Sequence, residues 1–120
     1  MRLEELTAAD IRDIASISRT RDAIERPEEY TLGDVDSPEW DEWRSATANL
    51  VSRIEALSQL ARAELTALAW LGRGDSGNNF GDLVAHATRS SDSGDSRYLA
   101  SKAPLHSYLQ DGARKLGVAI

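Results

Sequence analysis

From Trp40 to Leu57, the residues Trp40, Trp43, Thr47, Leu50, Ile54 and Leu57 follow one another at steps of three, four, three, four and three. At 3.6 residues per helical turn this spacing lines them along one side of a helix, whereas a strand would scatter them over both faces. No segment of the chain alternates convincingly with period two. The fold class is therefore all-α, with no sheet: about five helices in a compact bundle of antiparallel hairpins. Two and a half heptads are too short for a coiled coil, so the stripe is read first as a core face and second as the seam of a homodimer.

The remaining elements follow from caps and spacing. Thr7 to Asp10 resembles a capping box, and Ile11, Ile14, Ala15 and Ile17 follow at helical intervals, which predicts a helix from Thr7 to the low twenties. The segment ERPEEYTLGDVDSPEW reads as an acidic loop, about residues 26–37, ending with Ser37 as cap and Pro38 as the first residue of the next helix. Ser58 caps a third helix whose face is Ala61, Leu65, Leu68 and Ala69, widened by Leu60 and Trp70. Phe80, Leu83, Val84 and Ala87 mark a fourth, with Asn78 or Asn79 as cap, fading near Arg89. A polar, flexible loop at 90–96 and a short turn at RYLASK precede a last helix opened by Pro104 and stopped by Gly117.

A chain of 120 residues fits one domain, residues 1–120, that can bury a core without staples. It has no cysteine, which removes disulfides, thiolate catalysis and Cys-type metal sites together. Mean hydropathy is −0.44, and no apolar run approaches the roughly 20 residues that span a bilayer. The start, MRLEELTAADIRD, lacks the basic and apolar regions of a secretory signal, so the expected location is the cytoplasm, with no membrane partner. Residues 1–44 carry 13 acidic and 6 basic side chains against 7 and 8 in the remainder. The seven acids between Pro27 and Trp43 would repel a phosphate backbone, which argues against a nucleic-acid partner.

Set side by side, ALAWLGRGD, then RYL, then PLHSYLQDGARKLG resemble a family of small bacterial proteins known only as a domain of unknown function, number three-seven-seven-five. Its pattern is an A-L-x-W-L-G-R-G-D run, an acidic helix, a Y-L pair and a closing T-P-L-x-x-Y-L-x-x-G-L segment. The matching residues are Ala67, Leu68, Trp70 to Asp75, Tyr98, Leu99, Pro104, Leu105, Tyr108, Leu109 and Gly112. Two departures stand out: Ala103 replaces the threonine before the proline, weakening the last helix's cap, and SGNNFGD replaces a more acidic stretch. The resemblance implies a cytoplasmic bacterial helical domain and brings no established activity.

LGRGDSG contains the letters of the adhesion peptide GRGDS, a reading that needs export, for which no signal is present. As a joint between helices it is legible throughout. Gly72 is expected to stop the third helix in a left-handed conformation, Gly74 to allow a tight turn and Asp75 to cap the fourth helix, with Arg73 reaching Asp75 or the terminal carbonyls. The functional reading of the same turn is a site of Arg73, Asp75, Tyr98 and Tyr108 for a small molecule or anion, in a binding protein or a minor enzyme. It lacks the Lys-Ser/Thr ending of a phosphate loop. His86 and His106 stand alone, and no metal or cofactor is expected. Residues 75–86 have Phe80 at the sixth position and His86 at the twelfth, where a calcium loop has glycine and glutamate, and no G-x-S-x-G elbow occurs. The expectation is a module without enzymatic activity that binds a protein partner or a second copy of itself, with Trp40 and Trp43 as candidate anchors.

Overall fold

The computed structural model describes residues 3–24, 38–74, 80–90, 99 and 104–120; of residues 38–40 and 90 it describes the backbone alone. Among these, five helices are present and no strand: α1 Ala8–Asp22, α2 Pro38–Glu55, α3 Gln59–Arg73, α4 Phe80–Ser90 and α5 Leu105–Leu116. No described helix is long and apolar enough to cross a membrane. Ser37, Asp75, Asn78, Asn79, Tyr98 and the loops expected near 26–37 and 90–96 lie outside the described residues, except that Ser90 is the last residue of α4.

Two pairs of consecutive helices, α1 with α2 and α3 with α4, form the flanks, and α5 packs between α1 and α3. Leu68 lies against Gly112 and Gly72 against Tyr108, so α3 and α5 run antiparallel. Ser18, late in α1, meets His106, early in α5, so that pair is antiparallel too. Leu65, Leu68, Leu99, Leu105 and Leu109 fill the centre with Ile11, Ile14, Leu50 and Ile54, all fully buried.

The caps act as their residue types dictate. The Thr7 hydroxyl accepts from the Asp10 amide and the Asp10 carboxylate from the Thr7 amide, completing the capping box of α1. Ser58 Oγ accepts from the Ala61 amide at 3.1 Å and opens α3. Gly117, at φ +82°, closes α5, and the Val118 amide reaches back to the Ala113 carbonyl.

At the end of α3 the structure corrects the expectation. The helix continues through Gly72 to Arg73, and it is Gly74, at φ +114°, that takes the left-handed closing position. Gly72 has a different task. A Cβ there would run into the Tyr108 carbonyl, and one on Gly112 into the Leu68 carbonyl, so the backbones of α3 and α5 touch at this crossing. A second correction concerns the width of the buried face of α3. All residues from Ala63 to Ala69 are buried, including Glu64 and Thr66, because α4, α5 and residues 4–6 surround the helix.

The Trp40–Leu57 stripe divides in two. Leu50, Ile54 and Leu57 enter the core as expected. From Asp41 to Asn49 no residue is buried: Trp43, Ala46 and Thr47 are half-buried and the others exposed. Thr47 Oγ1 is shielded from solvent yet has no hydrogen-bond partner among the described residues.

Candidate functional site

Of the expected ligand residues, Arg73 and Tyr108 lie at the same end of the α3–α5 pair. Arg73 is the exposed last residue of α3, beside the carbonyl end of that helix. There the helix dipole favours a cation. The Leu71 carbonyl is taken by Lys115 Nζ at 3.0 Å, a role the sequence had offered to Arg73. Tyr108 is half-buried against the core, one turn before Gly112. Asp75 and Tyr98 lie outside the described residues, as does the side chain of Trp40, while Trp43 sits on the half-buried part of α2.

Of the lone histidines, His86 is exposed on α4 and its ring lies 5.4 Å from that of Trp70, at 54°. His106 belongs to a more suggestive group. Its Nδ1 is 3.3 Å from Asp22 Oδ2 and 3.5 Å from Ser18 Oγ, bringing together the three residue types of a hydrolytic triad. The geometry does not serve that chemistry. A triad needs the carboxylate on one ring nitrogen and the hydroxyl on the other, whereas both partners here face Nδ1.

What Ser18 does instead is capping. Its hydroxyl accepts the His106 amide at 3.2 Å, a donor of the first turn of α5 that Pro104, at the cap position, leaves without a side-chain partner. The cap weakened by Ala103 is thus supplied from another helix.

Three features escaped the sequence reading. Glu64 is buried at 2% exposure, and its carboxylate accepts three consecutive amides: Glu4 at 2.7 Å, Glu5 at 2.8 Å and Leu6 at 2.9 Å. A buried carboxylate is tolerable only with such charge-assisted partners. Its one sequence signal is an acid set between alanine and leucine in an alanine-rich helix.

Arg53 bridges α2 to α1, with Nε donating to Asp13 at 2.6 Å and Nη2 to Asp10 at 2.8 Å. Burial alone would raise the Asp10 carboxyl; the hydrogen bonds from Arg53 and Thr7 and the charge of Arg53 outweigh it and hold the group below its ordinary value. Hydrogen bonds to Asp10 and then Asp13 raise Arg53 in turn.

The third feature is an open groove of about 800 Å³ between α1 and α5, with Arg12, Arg19, Gln110 and Arg114 on its walls. No group of three potential metal ligands occurs among the described residues.

Residues 47–118, more than half of the chain, match the model of a family described as protein of unknown function (DUF3775). The chain belongs to the DUF3775 family. Neither a curated protein nor a solved structure matches it. The matched span holds the second half of α2 and all of α3, α4 and α5. It therefore includes Glu64, Arg53 and His106, whereas their partners on α1 and in residues 4–6 precede the region by which DUF3775 is recognised.

Proposed function

We infer that the protein is a cytoplasmic bacterial interaction module without enzymatic activity, and that its contact surface is the first half of α2, paired with the same surface of a second copy. One observation carries the reading: the three-four stripe is core from Leu50 onward but continues through Thr47 and Trp43, which like the neighbouring Ala46 are half-buried, in a stretch where no residue is buried. Helices with this spacing pack against one another at shallow angles. Trp43 has the side chain type that most often anchors an interface. The flanking charges suit self-pairing, since Asp41, Glu42 and Arg44 supply both signs within one turn of the stripe.

Light scattering from the intact protein over a range of concentrations tests this. The expected mass rises toward twice the 13.1 kDa of the chain, and Trp43→Glu returns it to the monomer with little change in melting temperature. A strictly monomeric mass at every concentration, or a dimer that Trp43→Glu leaves intact, removes the proposal.

A further inference from the structure

Helix α1 carries two charged edges on either side of its buried stripe. Asp10 and Asp13 form one, and Arg53 engages both. Arg12 and Arg19 form the other, roughly 140° away around a helix of 3.6 residues per turn. Across from them α5 contributes Gln110 and Arg114, and beyond Gly117 the residues Val118 and Ile120 complete the groove.

The charges in this space are poorly neutralised. Arg12 and Arg19 meet no carboxylate among the described residues. Asp22, three residues from Arg19, is engaged by Arg21 at 3.0 Å and lies beside His106. Arg114 reaches Asp111 at 2.8 Å, but with 76% of its side chain exposed the pair is weak in water and readily exchanged. Three guanidinium groups thus line one cleft of a protein whose net charge is −6. Like charges around a cleft repel one another, contribute nothing to folding and focus the field on what enters. Ile120, 39% exposed, is the large apolar side chain most open to solvent among the described residues, and it lies in the same groove.

We propose that this groove binds a small organic ligand bearing two anionic groups, phosphate or carboxylate, on a partly apolar frame. Arg12 and Arg19 stand two turns apart on α1, about 10 Å of helix rise, so a single anion reaches both only if both side chains bend inward. Two anionic groups meet one fork each, and Arg114 adds a third from the facing helix. Gln110 offers an uncharged donor and acceptor between them, and Val118 with Ile120 covers the frame. The volume falls in the range of small-molecule sites, about 300–1,000 Å³. This site uses the edge of α1 turned away from α2, so it stands independently of self-pairing.

Titration calorimetry on the intact protein at low salt decides the matter, with suberate and fructose 1,6-bisphosphate as two-headed probes and inorganic phosphate as the one-headed control. The two-headed probes are expected to bind at least tenfold more tightly than phosphate. Arg12→Gln and Arg19→Gln should each weaken them at least tenfold while leaving the unliganded melting temperature unchanged, and Arg89→Gln on α4 should have no effect. No heat from any probe, equal affinity for phosphate, or undiminished binding in both groove variants overturns the proposal. So does tighter, steeply salt-dependent binding of a single-stranded oligonucleotide, which assigns the arginines to a nucleic-acid backbone instead.

Discussion

Helices α3 and α5 meet through their backbones, at Gly72 and Gly112. Residues 3–24 join the rest of the chain differently, through Leu6, Ile11 and Ile14 and then a set of directional polar contacts: Glu64 to three amides, Arg53 to two aspartates, Ser18 to the first turn of α5. Each polar contact has one end inside residues 47–118 and the other before them. The difference is between two ways of fixing register. Close packing sets it by excluding atoms, and no partial version exists. Hydrogen bonds set it by direction, and each can be lost singly, at a cost that depends on burial.

The largest effect expected is at the crossing. Gly72→Ala and Gly112→Ala each place a methyl group on a backbone carbonyl of the facing helix, which only a displacement of α5 can relieve. Overpacking of this kind costs about 3 kcal/mol or more, a fall of about 10 °C or more for a chain of this length. Gly74→Ala is the control, since a Cβ there meets nothing and only the left-handed φ penalises it, by about 1–2 kcal/mol. If thermal melts rank Gly74→Ala with or below the other two, the backbone contact is not what holds α3 to α5, and the comparison fails.

Next in size is Glu64→Gln, which keeps the shape but removes the charge and turns an NH₂ group toward amide donors. With 2% exposure and three amides to satisfy, the loss is about 2–3 kcal/mol. Its location sharpens the comparison. Hydrogen exchange should show the amides of Glu5 and Leu6 losing protection first, while those of α3 and α5 persist. Equal loss throughout would mean that the two regions form one cooperative unit.

These two interfaces also mark where reading the sequence stops. Spacing and caps show α1 to α5 within a residue or two, because Thr7, Ser58, Pro38 and Gly117 act locally. They cannot show Gly72 as a contact, because a glycine before a turn resembles a cap until the facing helix is known. Glu64 and Ser18 are invisible for the same reason, since their partners lie 58 to 88 residues away. The groove was equally hidden: Arg12 and Arg19 share a face on any helical wheel, but Arg114 joins them only once α5 packs against α1. The Arg73 turn, conspicuous as letters, lies at the carbonyl end of α3.

Ser18→Ala should be milder than Glu64→Gln. It removes one cap acceptor from α5, worth about 1 kcal/mol in a chemical denaturation series. The amide of His106 should exchange faster, and the α3–α5 crossing should be untouched. An unchanged midpoint would show that water replaces the hydroxyl, so that Ser18 positions nothing.

The smallest effect separates the two regions by pH. The Asp10 carboxyl is held below its ordinary value of 3.8 in the folded chain. Between the folded and unfolded values the unfolded state binds the additional proton, so stability rises with pH there. The contribution is complete above 3.8 and is lost as pH falls through the lower folded value. With side chains about a quarter exposed, the pair is worth about 0.5–1 kcal/mol. Arg53→Gln should therefore be less stable than the parent at pH 6, by a gap that closes on acidification toward pH 2. The gap between Gly72→Ala and the parent should stay nearly constant over the same range, because the contact there is made by backbone atoms, which do not titrate. If the Arg53→Gln gap also stays constant, the bridge from α2 to α1 acts through the packing of the arginine stem rather than through its charge, and α1 is held in the same manner as α5.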